Sequence, residues 1–339
     1  EGESLALYNA GDTYRGLREF QKALDFMIQS LQLDRAAKNR SSEATTLSNM
    51  GVAYSGLGDK QKAVEFFNQS LTIRRELKDA AGEANTLNNL AATYADLGER
   101  RKALEAQKQV LTMRRSSNNR RGEALALNNI GSTYLGLGEK RKAIDHFQQA
   151  LKLWRALNEK ASEANTLNNL GAAYSDVGDQ QKALDVFNQS IRLRRAAGDA
   201  RGEAVTTVNL ARSYDILGAS QEAINNYTQS LEALRKAKDR LWEGRALNFL
   251  GLAQWASGEH QKALATFEQA LPIKRELKDA AGEAATLNNI GLAQDSLGDR
   301  QKALESYNQA LPLLRSAGDR QGEARALNNI GFAYDALGN

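Results

Sequence analysis

Shifted against itself by 40 residues, the 339-residue chain falls into register from end to end without an insertion or a deletion. Glutamate recurs at Glu3, Glu43, Glu83, Glu123, Glu163, Glu203, Glu243, Glu283 and Glu323. Alanine recurs at Ala23, Ala63, Ala103, Ala143, Ala183, Ala223, Ala263 and Ala303, and neither series has an exception. A fixed period of roughly 20 to 50 residues marks an array in which each unit is completed by its neighbours. The units are 1–40, 41–80, 81–120, 121–160, 161–200, 201–240, 241–280 and 281–320, with a partial ninth over 321–339. A chain this long ordinarily divides into several globular domains. An array escapes that limit, so 1–339 is expected to be one solenoid domain.

The spacing inside a unit decides what the units are. Leu127, Ile130, Gly131 and Tyr134 stand three and four residues apart, which stacks them on one stripe of a helix, helix A. After a turn around Gly138 and Glu139, Ala143, Ile144, Phe147, Ala150, Leu151 and Trp154 repeat that spacing on a second helix, helix B. Small Gly131 and Ala143 allow the two backbones to approach, and Tyr134 and Phe147 fill the space beside them. Gly318 and Asp319 illustrate the junction to the next unit, a glycine ending one helix and an aspartate capping the next. Only two prolines occur in the whole chain, which agrees with helix throughout. One pair cannot bury its apolar stripes alone, so the expected fold is all-α, a right-handed superhelical solenoid of antiparallel helix pairs.

Leu127, Ile130, Gly131, Tyr134, Ala143, Phe147 and Ala150 resemble, in order and spacing, the tetratricopeptide signature. The resemblance covers the entire chain, with units of 40 residues where the usual repeat has about 34. In this the chain is similar to kinesin light chains and to bacterial multi-repeat regulators. The signature proline near the end of helix B is replaced by arginine at Arg35, Arg75, Arg115, Arg155, Arg195, Arg235, Arg275 and Arg315, as suits a helix that continues. The phrasing of Ala285 to Gly291 looks like bacterial and cyanobacterial arrays joined to CHAT peptidase or signalling ATPase domains. A chain that opens within helix A and stops after the first helix of unit nine reads as a segment of a longer protein. The resemblance implies a protein-interaction scaffold that holds a peptide or partner-protein segment in a concave groove lined by helix A. The alternative it implies is the regulatory or sensor module of a multidomain signalling protein.

No catalytic constellation accompanies the repeat. Without cysteine there are no thiolate ligands or nucleophiles, and His146 and His260 lie in different units with no ligand at metal spacing, as solvent-facing positions. The carboxylates are plentiful but periodic, and the glycines stand singly rather than in a phosphate loop. Neither an enzyme, a metal nor a cofactor is expected. No apolar run is long enough to span a bilayer, so a cytoplasmic location and no membrane partner are expected. The 45 basic and 41 acidic side chains leave a net +4, weak support for nucleic acid. The basic pairs Arg74-Arg75, Arg114-Arg115, Arg194-Arg195 and Lys274-Arg275 are read as a solvated face at the end of helix B.

Two sets of residues are candidates for function. At 100° per residue, Leu125, Asn129 and Ser132 fall opposite the packing stripe of helix A. The asparagine recurs as Asn9, Asn49, Asn89, Asn129, Asn169, Asn209, Asn289 and Asn329, and its amide can donate to and accept from an extended peptide backbone. The competing reading is that these amides bridge neighbouring helices. Unit seven breaks the pattern, with Phe249 for asparagine, Gln254 for tyrosine, and new Trp242 and Trp255. With Asn209, Arg212 and Arg245 nearby, Phe249 and Trp255 make a possible specificity patch of the aromatic and arginine type found at interface hot spots. The recurrent Glu and Arg are expected to form an internal ladder, with Arg115 reaching Glu123. Near-identical units also leave the two ends of the solenoid complementary, so end-to-end self-association is possible.

Overall fold

The computed structural model describes residues 2–337, and these form helices joined by turns of two or three residues, with no strand among the described residues. The chain divides into two compact units, 1–159 and 160–339. In the first, the A helices α1 (Gly2–Gly16), α3 (Arg40–Leu57), α5 (Ala80–Asp96) and α7 (Arg120–Gly136) alternate with the B helices α2 (Phe20–Ala36), α4 (Lys60–Glu76), α6 (Arg100–Ser116) and α8 (Lys140–Ala156). In the second, the A helices are α9 (Lys160–Asp176), α11 (Ala200–Ile216), α13 (Arg240–Ala256), α15 (Ala280–Ser296) and α17 (Arg320–Leu337). Its B helices are α10 (Gln180–Ala196), α12 (Ser220–Lys236), α14 (His260–Glu276) and α16 (Arg300–Ser316). Within each unit every helix packs against its neighbours in sequence, and the A helix of one repeat also touches the A helix of the next.

The periodic residues supply the core. All eight alanines of the Ala23 series are fully buried. Against them lie Phe67, Phe147, Phe187, Phe267, Tyr227 and Tyr307, each no more than 1% exposed. The facing glycine is there for the aromatic ring: a Cβ on Gly131 would stand 2.7 Å from Phe147 Cε1, and one on Gly171 2.5 Å from Phe187 Cε1. Unit three shows the complementary solution, with Ala91 on helix A and the slimmer Gln107 on helix B. Tyr14 stacks on Phe26 at 5.4 Å and Tyr54 on Phe66 at 5.0 Å. Where tyrosine gives way to Gln254 and Gln294, the partner becomes polar too: Thr266 and Ser306 hydroxyls donate to their carboxamide oxygens, each at 2.8 Å.

The junctions depart from the glycine-then-aspartate expectation in one respect. Gly198 and Gly318 have positive φ, but the same place is held by Lys38, Lys78, Asn118, Asn158, Lys238 and Lys278, whose φ values lie between 51° and 56°. The cap that follows is uniform: Asn39, Asp79, Asn119, Asp199, Asp239, Asp279 and Asp319 accept from the backbone N–H three residues on. Cap and left-handed residue together fix each turn, so the register of the next A helix follows from local chemistry.

The expected Arg–Glu ladder is present. Arg35, Arg75, Arg115, Arg195, Arg235, Arg275 and Arg315 each donate Nε to the glutamate eight residues ahead, at 2.7 to 3.0 Å. Glu43, Glu123 and Glu243 are buried and take a second arginine, Arg40, Arg120 and Arg240, at 2.7 to 3.1 Å. Burial pushes the Glu43 and Glu123 carboxyls up, and the hydrogen bonds and charges of their two arginines outweigh it, holding both below the ordinary value. Asp79 is lowered chiefly by the Gly82 amide and then by Arg74. Acids that are stronger when folded contribute fully above the ordinary values, 4.5 for glutamate and 3.8 for aspartate, and lose that contribution as pH falls through the folded values. The thermal midpoint is therefore expected to be level from neutrality to about pH 5 and to drop below it. Glu123→Gln should lower the neutral midpoint and flatten part of that acid slope. Scanning calorimetry over this range checks both, and a midpoint that rises on acidification contradicts the assignment.

Candidate functional site

Between one A helix and the next, the same cavity recurs. In the first repeat it is about 200 Å³ and is lined by Leu5, Tyr8, Ser30, Asp34, Asn39 and Thr45, among others. Between α5 and α7 it is about 300 Å³, lined by Asn85, Asn88, Asn89, Val110, Arg114 and Leu125. Between α15 and α17 it is about 250 Å³, lined by Ala285, Asn288, Asn289, Leu314, Asp319 and Arg325. The A helices supply the walls, and the last turn of the intervening B helix supplies the floor. In these three cavities the floor is the residue just before the ladder arginine, and it varies, Asp34, Arg114 and Leu314. The same sequence position carries Arg74, Arg194, Leu234 and Lys274 in other repeats.

The cationic side chains at this position are held in place. Arg74 Nη1 bonds Asp79, and Arg194 reaches Asp199 and Asn165, both at 2.6 Å. Arg114 Nη2 donates to Asn85 Oδ1 at 2.5 Å and Lys274 Nζ to Asp279 at 3.1 Å. These residues are the first members of the four basic pairs, and the second members belong to the Arg–Glu ladder. The reading of those pairs as a solvated face is corrected for the first members only: the side chains of Arg74, Arg194 and Lys274 are 11%, 11% and 7% exposed and each pairs with an aspartate, whereas the second members Arg75, Arg115, Arg195 and Arg275 are exposed. The two histidines are corrected likewise. His146 is half-buried and tilted against Tyr134 at 5.2 Å, and His260 is half-buried beside Trp255 at 6.2 Å.

Of the recurrent asparagines, Asn89 and Asn289 stand on the walls of these cavities, and several of the series are tied to the preceding A helix. Asn129 donates to Asn88 Oδ1 at 3.3 Å, Asn209 to Asn168 at 2.9 Å, Asn289 to Asn248 at 3.0 Å and Asn329 to Asn288 at 3.3 Å. Asn49 donates to the Tyr8 hydroxyl at 2.6 Å. Asn49, Asn89, Asn129, Asn169, Asn209, Asn289 and Asn329 are all half-buried, while Asn9 is exposed. One hydrogen bond engages one amide hydrogen of the donor, so each pair keeps further donor and acceptor capacity at the pocket mouth.

In unit seven the amide pair is replaced as a pair. Val208 and Phe249 occupy the two places, Val208 fully buried and Phe249 packed on the core with its ring 6.0 Å from Tyr227. Arg212 lies over the Phe249 ring at 5.0 Å, and Arg245 over Trp242 at 5.0 Å. Trp255 reaches the other way, donating to Ser296 Oγ on α15 at 2.9 Å. The structure thus joins Arg212 to Phe249, gives Arg245 a tryptophan partner, and directs Trp255 to the following repeat. Behind them the Tyr227 hydroxyl donates to Asp215 at 2.6 Å, and burial pushes the Asp215 carboxyl up.

The comparisons fit this architecture. A tetratricopeptide repeat model matches residues 3–76, 82–156, 122–196, 162–236, 202–276 and 244–316. The chain belongs to the tetratricopeptide repeat family. No curated protein sequence matches it. Among solved structures, the apo form of RapI is similar at a TM-score of 0.69 and 17% identity, covering 82% of this chain and 99% of that one. The apo quorum sensor NprR from B. thuringiensis is similar at 0.68 and 15%, covering 92% and 87%. A signal transduction ATPase with numerous domains from Pyrococcus horikoshii, with a tetratricopeptide repeat sensor, is similar at 0.70 and 14%. That match covers 96% of this tetratricopeptide chain and 50% of the ATPase. No described helix is long and apolar enough to cross a membrane.

Proposed function

We propose that this chain is a cytoplasmic, bacterial-type protein-interaction scaffold that holds an extended peptide segment of a partner along its A-helix face, without catalysis of its own. The observation that carries this reading is the cavity that recurs at three places between A helices, with asparagine amides on the walls of two of them and a floor that changes sign and size from Asp34 to Arg114 to Leu314. Backbone-directed amides supply affinity for any extended chain, and the variable floors supply side-chain selectivity. A Rap protein of similar fold, at a TM-score of 0.62, was solved with competence and sporulation factor, which favours a peptide ligand. The inward pairing of Arg74, Arg194 and Lys274 with aspartates argues against nucleic acid, whose phosphates need outward cations.

The test is selection of a displayed library of random linear peptides on the folded chain, followed by fluorescence anisotropy. The triple change Asn129→Ala, Asn209→Ala and Asn289→Ala is expected to weaken a selected peptide by about tenfold or more at unchanged helix content. Unchanged affinity in an equally helical variant overturns the groove reading. A second reading, a sensor module within a larger signalling protein, is favoured by the similarity to half the length of an ATPase that has a tetratricopeptide repeat sensor. It shares the same binding face.

A further inference from the structure

The floor residue of the first cavity reverses the chemistry of four others. Where the second, third, fifth and seventh repeats carry Arg74, Arg114, Arg194 and Lys274, the first carries Asp34. Asp34 is 2% exposed. Its carboxylate accepts from Ser4 Oγ at 2.5 Å and from Thr46 Oγ1 at 3.3 Å, and no described basic side chain pairs with it. Arg74, on α4, reaches the Thr45 hydroxyl of the cavity wall at 3.4 Å and is engaged by Asp79. A cavity of about 200 Å³ lies over the carboxylate.

A buried carboxylate with hydroxyl partners and no counter-charge is costly, and a cation entering the cavity relieves that cost with a charge-assisted bond. The walls suit such a guest. Leu5 and Tyr8 can flank an alkyl stem, and the Thr45 and Ser42 hydroxyl oxygens can accept from an ammonium or guanidinium. We propose that the Asp34 cavity receives a lysine or arginine side chain of the bound peptide and so fixes its register along the A helices. This rests on the groove reading above and adds the class of residue that the first repeat selects.

The probe is the set of peptides selected from the random library on the wild-type chain, compared with sets selected on Asp34→Asn and Asp34→Arg. Asp34→Asn keeps the shape and the hydroxyl partners, and Asp34→Arg installs the residue that Arg74, Arg114 and Arg194 show the array accepts, so at least one variant folds. The wild-type set is expected to carry lysine or arginine at one fixed place, and the Asp34→Arg set to lack it. For one such peptide, Asp34→Asn should weaken binding about tenfold or more, and replacing the peptide's basic residue by norleucine should have the same effect. The two changes together should cost little more than either alone. Arginine and norleucine versions of a lysine peptide separate a guanidinium preference from an ammonium one. Equal binding of the selected peptides to wild type and to a folded Asp34→Asn variant overturns the Asp34 assignment while leaving the groove intact. Failure of every form to select any peptide overturns the groove reading, and this inference with it.

Discussion

Phe147→Ala is expected to lower the free energy of unfolding by about 3–5 kcal/mol, the cost of removing a fully buried aromatic ring and leaving its cavity. Phe147 is 0% exposed and stands between Gly131 of α7 and the alanines of α8. The surrounding backbones are set at a distance fixed by that ring, so they cannot close over the void. Because repeats are stabilised by nearest neighbours, the damage should appear first as local opening of α7 and α8 and only then as loss of the whole array. Urea unfolding followed by circular dichroism, with native-state hydrogen exchange for the local step, gives both. A loss under about 1 kcal/mol would show that the ring does not set the spacing.

The complementary change is Gly131→Ala. Alanine favours a helix by about 1 kcal/mol over glycine, so on propensity alone it should stabilise. The added Cβ would lie 2.7 Å from Phe147 Cε1, inside van der Waals contact with a ring that has nowhere to move. Overpacking costs about 1–3 kcal/mol, and the expected sign is destabilising. Unit three already displays the cure, Ala91 facing Gln107. Adding Gly131→Ala to Phe147→Gln should therefore be neutral or favourable, and the double-mutant cycle should give a coupling of about 1–3 kcal/mol. The sixth repeat sets a limit on this rule. There Ala211 faces Tyr227, whose hydroxyl is anchored by Asp215 and whose ring neighbours Phe249, so that ring has a different seat.

These two sites also show how much the sequence made legible. Helical periodicity exposed the stripe, and the pairing of Gly131 with Phe147 follows from size alone. The Arg–Glu ladder was equally readable, because eight residues across a short turn bring the end of one helix beside the start of the next. What stayed hidden depends on three helices at once. Bridging by these amides is a competing reading at the level of sequence, but the partner is not readable there: the tie from Asn129 to Asn88 spans 41 residues and needs the A helices side by side. The place of Arg114 at a cavity floor, and the inward pairing of Arg74, Arg194 and Lys274, need the B helix set against its neighbours, and sequence spacing alone placed these residues on a solvated face. The inward lean of His146 and His260 needs Tyr134 and Trp255 beside them. In the specificity patch, Phe249 and Val208 replace two asparagines together, a substitution that reads as two unrelated breaks until the A helices are adjacent.

The central claim is that the A-helix face with its recurring cavities is the surface that binds. Photo-crosslinking of a selected peptide carrying a benzophenone at successive positions, mapped by mass spectrometry, tests it most directly. The expected result is a ladder of adducts that advances from one A helix to the next, at Leu125, Asn129 and Ser132 and their counterparts, as the probe is moved. Adducts confined to the outer face of the B helices, at Lys108, Lys152 or Arg192, would contradict the account.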